Sequence, residues 1–174
     1  MRASAESVTR AVAEEACQVF EQCLAKITHC LAQLSDEQVW WRPGEQMNSI
    51  GNLILHLTGN VRQWIVSGIG GEADIRQRPA EFREQGSIPA VELINRLEEV
   101  VRNAQEVLQQ ATPNQMLNHR RIQGFETTGW GAVFDCVPHF KGHTQEIICL
   151  TRMQLGAAYR FHWQPQTAEE GAPR

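Results

Sequence analysis

The sequence predicts an all-α protein, specifically a four-helix bundle with long crossover connections. Apolar residues recur every three or four positions in four segments, each long enough for about twenty helical residues. No segment shows the strict alternation of a convincing strand. The gaps after the second and third segments are each roughly fifteen to twenty residues, whereas two to eight are usual between neighbouring bundle helices. At least one connection is therefore expected to cross the bundle, and both are long enough to close over one end.

The first two helices are predicted from their apolar stripes. The first runs from about Ser4 to Leu34 and carries the repeat Val8, Val12, Ala16, Val19, Cys23, Ile27, Cys30 and Leu34. The second is expected to start at a cap near Asn48 or Ser49 and to end in the glycine-rich residues 68–71. Its inward-facing residues are Ile50, Leu53, Ile54, Leu57, Val61, Trp64 and Ile65.

The third helix is predicted to be capped by Ser87, with Pro89 in its first turn, and to end at residues 112–113. Residues 114–131 are expected to form a loop, with room for one small hairpin at 117–125. The fourth helix is predicted from Gly131 to Leu155. Pro138 lies inside it, so an alternative is that this helix begins only near Pro138.

Length and composition predict one domain over residues 1–163 and a polar, disordered tail over residues 164–174, which contains two prolines. With 174 residues, 42% of them hydrophobic, the chain can bury a core without disulfides. The five cysteines are an odd number without CxxC spacing, which favours reduced core thiols.

Charge and hydropathy exclude several partners. The net charge is −4 and the chain has no cluster of Lys and Arg, so we expect no nucleic acid as partner. The apolar stretches are interrupted by polar residues and the first ten residues lack the apolar segment of a signal peptide. We therefore expect a cytoplasmic protein that does not contact the membrane.

Three histidines are the main chemical signal. His139 and His143 are four residues apart on the fourth predicted helix, which places both imidazoles on one face, and this face points toward the core. His56 on the second helix can supply a third ligand. Two inward-facing imidazoles are unfavourable unless they bind a proton donor, an acceptor or a metal. The predicted site is a divalent-metal centre with open coordination positions, and the alternative is three unrelated core or rim histidines.

Neighbouring residues leave further alternatives open. Glu146 is a weak candidate for a catalytic residue, either orienting an imidazole or acting as a general base, and it is otherwise a surface carboxylate. Cys136 is either a fourth ligand, which would close the site, or a packed core thiol. Asp135 is a weaker candidate for contact with His139. The other histidines have no partner at ligand spacing and are expected at the surface or rim: His29, His119 and His162.

Two segments carry a family resemblance. The stretch from Ser49 to Leu57, Ser-Ile-Gly-Asn-Leu-Ile-Leu-His-Leu, is followed some eighty residues later by His139-Phe-Lys-Gly-His143-Thr-Gln-Glu-Ile. Together they resemble the DinB/YfiT-like superfamily of metalloenzymes, over about residues 4–155. The resemblance implies a four-helix bundle with His56, His139 and His143 as metal ligands. In the commonest version of the motif Arg-Gly follows the second histidine of the pair, whereas Thr-Gln follows it here.

The resemblance also implies a function. Characterised relatives include transferases and isomerases that use low-molecular-weight thiols, so we expect a metal-dependent enzyme with a small-molecule substrate. The alternatives are a metal-dependent hydrolase and a non-catalytic bundle that binds a metal or a small molecule. Zinc or nickel is the expected ion, with iron or manganese as further candidates, because three imidazoles accept several divalent metals. A homodimer is expected from the wide apolar surface of the first helix.

Overall fold

The computed structural model describes residues 3–163, and most of these are helical. The expected disordered tail, 164–174, lies outside the described residues. In chain order the helices are α1 (Ala5–Leu31), α2 (Asp36–Trp40), α3 (Ile50–Val61), α4 (Arg78–Arg83), α5 (Ala90–Gln110), α6 (Pro113–Leu117) and α7 (Gly129–Leu155). A π-helical segment, Arg62–Ser67, extends α3. Two short strands, β1 (His119–Ile122) and β2 (Phe125–Thr128), precede α7.

The four long helices form a bundle with crossover connections, as the sequence predicted. α1 packs against α5 and α7, and α3 packs against the same two helices. α1 and α3 therefore lie at opposite corners, as do α5 and α7. The first and third connections consequently run diagonally, whereas residues 68–89 join the neighbours α3 and α5. The diagonal path accounts for the length of the segment between α5 and α7, whereas the long segment 68–89 does not cross the bundle.

Side chains at the helix starts explain most of the boundaries. Ser49 accepts a hydrogen bond from the backbone N–H of Asn52, whose side chain bonds back to the Ser49 N–H, which is a capping box. Ser87, in contrast, does not cap α5, and that prediction was wrong. Its N–H and hydroxyl both donate to the Glu84 carboxylate, and Pro89 occupies the cap position.

The segment before α7 is more ordered than expected. Residues 113–117 form α6, and the hairpin pairs His119 with Thr128 and Ile122 with Phe125, a few residues beyond the predicted position. Its two-residue turn uses Gln123 (φ 52°) and Gly124 (φ 86°), the left-handed conformations that tight hairpin turns require. α7 then begins at Gly129, two residues earlier than predicted, and continues through Pro138. The alternative start near Pro138 is therefore wrong.

The core lies between the four long helices. Phe20 of α1 and Phe140 of α7 meet edge to face at its centre, with ring centroids 5.1 Å apart and no exposure. Ala13 and Leu31 of α1 are also buried in this core. Much of the apolar surface that suggested a homodimer is thus covered within one chain.

Within residues 3–163 no helix is long and apolar enough to cross a bilayer. The cytoplasmic location stays a prediction.

Candidate metal centre

The structure brings the three predicted histidines together. His56 on α3 is 6% exposed, and His139 and His143 on α7 are half-buried beside it. One ring nitrogen from each lies within 4.8 Å of the others. Nε2 of His56 and Nε2 of His139 are only 2.9 Å apart. Two imidazole nitrogens at this distance repel each other through their lone pairs unless a proton or a cation lies between them.

The environment keeps His139 neutral. Burial lowers the pKa of its imidazole, as do the nearby His143 and His56 and two arginines, and the pKa falls to about 4. At neutral pH the ring therefore carries no charge and offers a lone pair. A neutral imidazole is the form that ligates metals.

Glu81, which was not predicted from the sequence, fixes the imidazole of His56. Its Oε2 lies 3.0 Å from Nδ1 of His56, so Nδ1–H donates to the carboxylate and Nε2 faces the other histidines. Burial alone would raise the pKa of the Glu81 carboxyl. The bonds from Arg76 and His56 outweigh burial and hold that pKa below its usual value. Glu81 is thus a charged acceptor behind the imidazole.

Arg76 holds this carboxylate with two hydrogen bonds. Its Nε donates to Oε1 of Glu81 at 2.7 Å and its Nη2 to Oε2 at 2.9 Å. Nη2 also lies 3.1 Å from Nδ1 of His56. Arg76 Nη2–H and His56 Nδ1–H both donate to Oε2 of Glu81, which accounts for the short distance between the two nitrogens. The Arg76 side chain is 3% exposed, so the ion pair is shielded from water.

The π-helical segment supplies the next contact. Gln63 accepts a hydrogen bond from Nη1 of Arg76 at 2.9 Å and donates to Asp74 at 2.7 Å. Asp74 in turn accepts from the backbone N–H of Arg76 at 3.0 Å. Single π-helical turns inside α-helices are frequent at functional sites because they redirect side chains. Here the segment begins six residues after His56, and its Gln63 binds the guanidinium of Arg76 behind that imidazole.

Gly59 gives Glu81 and Arg76 room to approach α3. A Cβ atom at this position would collide with Oε1 of Glu81 and lie 2.9 Å from Nε of Arg76. Glycine is therefore required by the close approach of the ion pair, one turn after His56 on the same helix. This requirement explains a residue that is otherwise unfavourable within a helix.

Asn52 anchors the segment that carries Glu81. Its amide Nδ2 donates to the carbonyl oxygens of Glu81 at 2.9 Å and of Glu84 at 3.0 Å. Its Oδ1 accepts from Arg42 at 2.8 Å. Asn52 has no exposure, and it ties the end of α4 to the start of α3. The same residue that completes the capping box of α3 thus positions the partner of His56.

Glu146 contacts the imidazole of His143. Its Oε2 lies 2.7 Å from Nδ1 of His143, one turn earlier on α7, so Nδ1–H donates and Nε2 is left for the cluster. Of the three interpretations that the sequence left open, this contact favours the one in which Glu146 orients an imidazole. Its side chain is 41% exposed, and its weak candidacy as a catalytic residue stays a prediction.

The remaining candidates lie outside the cluster. The Cys136 thiol donates to Oδ1 of Asn60 at 3.4 Å, and burial raises its pKa far above the ordinary value, so it is a packed, protonated core thiol. Asp135 is exposed and forms no hydrogen bond to an imidazole among the residues described. His29 donates to the carbonyl of Arg160 and meets His162 edge to face. His119 is exposed on β1, so none of these three histidines joins the site.

A cavity of about 380 Å³ opens beside the cluster. Its walls include His56 and His139, residues of the segment before α4, and the hairpin; the full lining is His56, Asn60, Trp64, Arg76, Arg78, Gln123, Phe125, Asp135 and His139. This volume suits a small molecule. Residues of both long connections thus line this cavity, and their closure over one end of the bundle stays a prediction.

The donor set fits a divalent metal. Three neutral imidazoles converge, at least two have a carboxylate that fixes the second ring nitrogen, and the close Nε2 pair needs a cation or a proton between them. Within residues 3–163 no fourth His, Cys, Asp or Glu joins the group. A site of this kind leaves positions for other ligands, which is typical of catalytic rather than structural zinc.

Fold and site together define a class, helical-bundle proteins of the DinB-like fold with a histidine triad that could hold a metal. The chain belongs to the family described as "Protein of unknown function (DUF1572)", whose model matches residues 7–166. No curated protein matches the chain.

Two solved structures share the fold. A conserved protein from Enterococcus faecalis superposes with a TM-score of 0.71 at 14% identity, covering 83% of this chain and 98% of that one. A DinB-like protein from Bacillus cereus superposes with a TM-score of 0.63 at 17% identity, covering 81% and 91%. The DinB-like fold that the sequence motifs predicted is thereby confirmed.

Proposed function

We propose that this protein is a divalent-metal-dependent enzyme that acts on a small molecule. One observation carries the proposal: the three imidazoles of His56, His139 and His143 converge, and two of them, His56 and His139, line a cavity of about 380 Å³. A structural metal would be enclosed, whereas this cluster borders a space that a substrate can enter. Zinc or nickel is the proposed ion, with iron or manganese as alternatives.

The chain's own residues prepare the site for this chemistry. Glu81 keeps His56 in the tautomer whose Nε2 faces the cluster, and Arg76 keeps Glu81 ionised and in place. Glu146 likewise keeps His143 in the tautomer whose Nε2 faces the cluster. A divalent ion held by three neutral imidazoles acts as a Lewis acid and lowers the pKa of whatever group occupies its open positions. Glu146 is part-exposed and is the proposed group for moving a proton to or from the substrate.

Thiol-dependent transfer or isomerisation is the reaction we propose, and metal-assisted hydrolysis is the alternative. The resemblance to thiol-using relatives supports the first. The geometry of the cavity is compatible with both, because each needs a small substrate beside an ion with open positions. The non-enzymatic alternative is a bundle that binds a metal or a small molecule without turnover.

Metal analysis followed by a substrate screen separates these alternatives. We expect freshly purified protein to contain about one divalent ion per chain, and the metal-loaded protein to consume a low-molecular-weight thiol in the presence of an electrophilic acceptor. Hydrolysis of ester or amide probes without thiol consumption would favour the hydrolase. Stoichiometric metal with no turnover in either screen would favour the binding protein, and absence of metal would overturn the proposal.

We also propose that the protein is a homodimer. An apolar groove between the starts of α1, α6 and α7 carries exposed Val8, Leu117 and Phe134, each about half exposed or more. Apolar side chains grouped in this way are typical of interfaces between chains. Sedimentation should show a dimer at micromolar concentration, and Phe134→Glu should convert it to a monomer. A wild-type monomer would refute the proposal.

A further inference from the structure

Arg78 places an unpaired positive charge in the wall of the cavity. It is exposed, and it lines the same cavity as His56 and His139. Among residues 3–163 no carboxylate forms a salt bridge with it, whereas the neighbouring Arg76 is neutralised by Glu81. The two arginines thus have different tasks. Arg76 supports the histidine cluster, and Arg78 is available to a ligand.

Phe82 links Arg78 to the histidine cluster. The Arg78 guanidinium lies 5.0 Å from the centroid of the Phe82 ring, a cation–π contact. The same ring is 5.0 Å from the centroid of the His56 imidazole. The charge is therefore held against an aromatic surface close to the site instead of extending into solvent. This contact lowers the entropy that Arg78 loses when it binds a ligand.

Asn60 adds a second donor to the same wall. It is 7% exposed and lines the cavity one turn after His56. Its Oδ1 accepts the hydrogen bond from the Cys136 thiol at 3.4 Å. In the described part of the chain its Nδ2 has no protein hydrogen-bond partner and is not fully buried, so it remains accessible to a ligand. The thiol thus turns the amide so that its N–H groups are left for the cavity.

The lining favours an anion. Arg78 and Asn60 offer hydrogen-bond donors, while Trp64 and Phe125 supply apolar surface. Asp135 is the one acid in the wall; it is exposed and forms no salt bridge with Arg78. A divalent ion at the histidines would add further positive charge. A small acid could therefore place a reacting atom at the metal and its anionic group at the two donors.

We propose that Arg78 and Asn60 form a subsite for a carboxylate or phosphate group of the small-molecule substrate. The inference rests on the proposed function, because it assumes an ion with open positions at His56, His139 and His143. Cys136 is a positioning residue in this subsite, since it acts through the Asn60 amide. The substrate class is thereby narrowed from small molecules to small anions.

The test compares two thiols that differ only in charge at one end. Cobalt(II)-loaded protein is titrated with 3-mercaptopropionate and with the neutral 3-mercaptopropionamide, and the thiolate-to-cobalt absorption band reports binding. The ratio of the two affinities is compared between the wild type and Arg78→Gln, so that intrinsic differences between the thiols cancel. We expect the substitution to reduce the preference for the acid about tenfold, the effect of one charge-assisted pair, and to leave the affinity for the amide unchanged.

Asp135→Asn is the matched control in the same wall. It removes a negative charge, so the preference for the acid should increase, and Arg62→Gln, which removes a cation outside this cavity, should change nothing. An equal ratio in the wild type and Arg78→Gln, with the band present, would overturn the subsite and leave the metal site intact. No cobalt binding, or no band with either thiol, would overturn the proposed thiol chemistry and the subsite with it.

The part played by Asn60 needs variants of its partner as well. Cys136→Ala should lower the preference for the acid, because the amide is no longer held, and Cys136→Ser should restore it, because a hydroxyl also donates. A purely structural thiol would give equal ratios in both variants, and the role assigned to Asn60 would then be wrong. Since Cys136 is buried, thermal unfolding is recorded to verify that each variant is folded.

Discussion

Glu81 lies 3.0 Å from Nδ1 of His56, although 25 residues and the whole of the π-helical segment separate the two along the chain. The contact sets which nitrogen of His56 is free. Without it the imidazole could place its proton on Nε2, facing His139, and the nitrogen could not ligate a metal. A residue from a connection between helices thus determines the state of a residue on the bundle.

Replacing Glu81 by Gln should weaken metal binding. The neutral amide no longer stabilises the Nδ1–H form of His56 and leaves the buried Arg76 without a counter-charge, so we expect a loss of about 10- to 100-fold in affinity. Competition with a chromophoric chelator measures it. Glu72→Gln, which breaks an exposed ion pair with Arg62, is the control and should have no effect. Equal affinities for both variants would show that Glu81 does not support the site.

Replacing His139 by Ala should abolish metal binding while the bundle stays folded. The core is large, and a metal with open positions is not expected to supply the folding free energy. Cys136→Ala should retain the full metal content, because its thiol bonds to Asn60 and not to the cluster. Elemental analysis and far-ultraviolet circular dichroism report the two properties. Metal loss in the cysteine variant, or unfolding of the wild type by a chelator, would indicate a closed structural centre.

Two glycine substitutions test the close approach at Gly59. Gly59→Ala should push Glu81 and Arg76 away from α3 and reduce metal affinity, although every ligand is unchanged. Gly142→Ala is the matched control, since it lies between the two histidines of α7 and a Cβ there meets no atom within 4 Å. It should leave metal binding intact and stabilise α7 by up to about 1 kcal/mol, as measured by urea unfolding. Similar metal affinity in both variants would contradict the role of Gly59.

The buried thiols should make stability fall at alkaline pH. Burial raises the pKa of Cys136 above its ordinary value of 9.0. In the unfolded chain the thiol loses its proton near pH 9, whereas in the fold it keeps it, so the thiol form stabilises the fold below pH 9 and this contribution decreases above it. In a reducing buffer, the stability of the wild type relative to Cys136→Ala should decrease by about 1.4 kcal/mol between pH 8 and pH 10. The exposed Cys149→Ala should show no such trend, and parallel curves for both variants would disprove it.

The helical bundle and the three histidines of the site could be predicted from the sequence because both depend on local periodicity. A four-residue step on a helix puts His139 and His143 on one face wherever that helix lies. Glu81 and Arg76 could not be predicted in this way, since Glu81 lies on α4, which has six residues and no apolar repeat, and Arg76 lies in the loop before it. One signal was available. A buried imidazole needs a partner for its second nitrogen, and the connection after α3 holds four acids, Glu72, Asp74, Glu81 and Glu84.

The helix boundaries failed where a side chain had a stronger competing partner. Ser87 is a typical capping residue, but Glu84 takes both its N–H and its hydroxyl. Pro138 suggested a late start for α7. The helix continues because the carbonyl that loses its bond belongs to Phe134, which is exposed and can be solvated.

The division of the cavity between bundle and connections has an evolutionary consequence. The histidines reside on α3 and α7, but Arg78 comes from the connection between α3 and α5, and Gln123 and Phe125 come from the hairpin before α7. Surface connections tolerate sequence change better than packed helices. Substrate preference can therefore diverge by exchanging residues 72–84 or the hairpin between homologues, while the framework that holds the imidazoles is inherited unchanged. Chimeras of this kind would separate inherited chemistry from acquired selectivity.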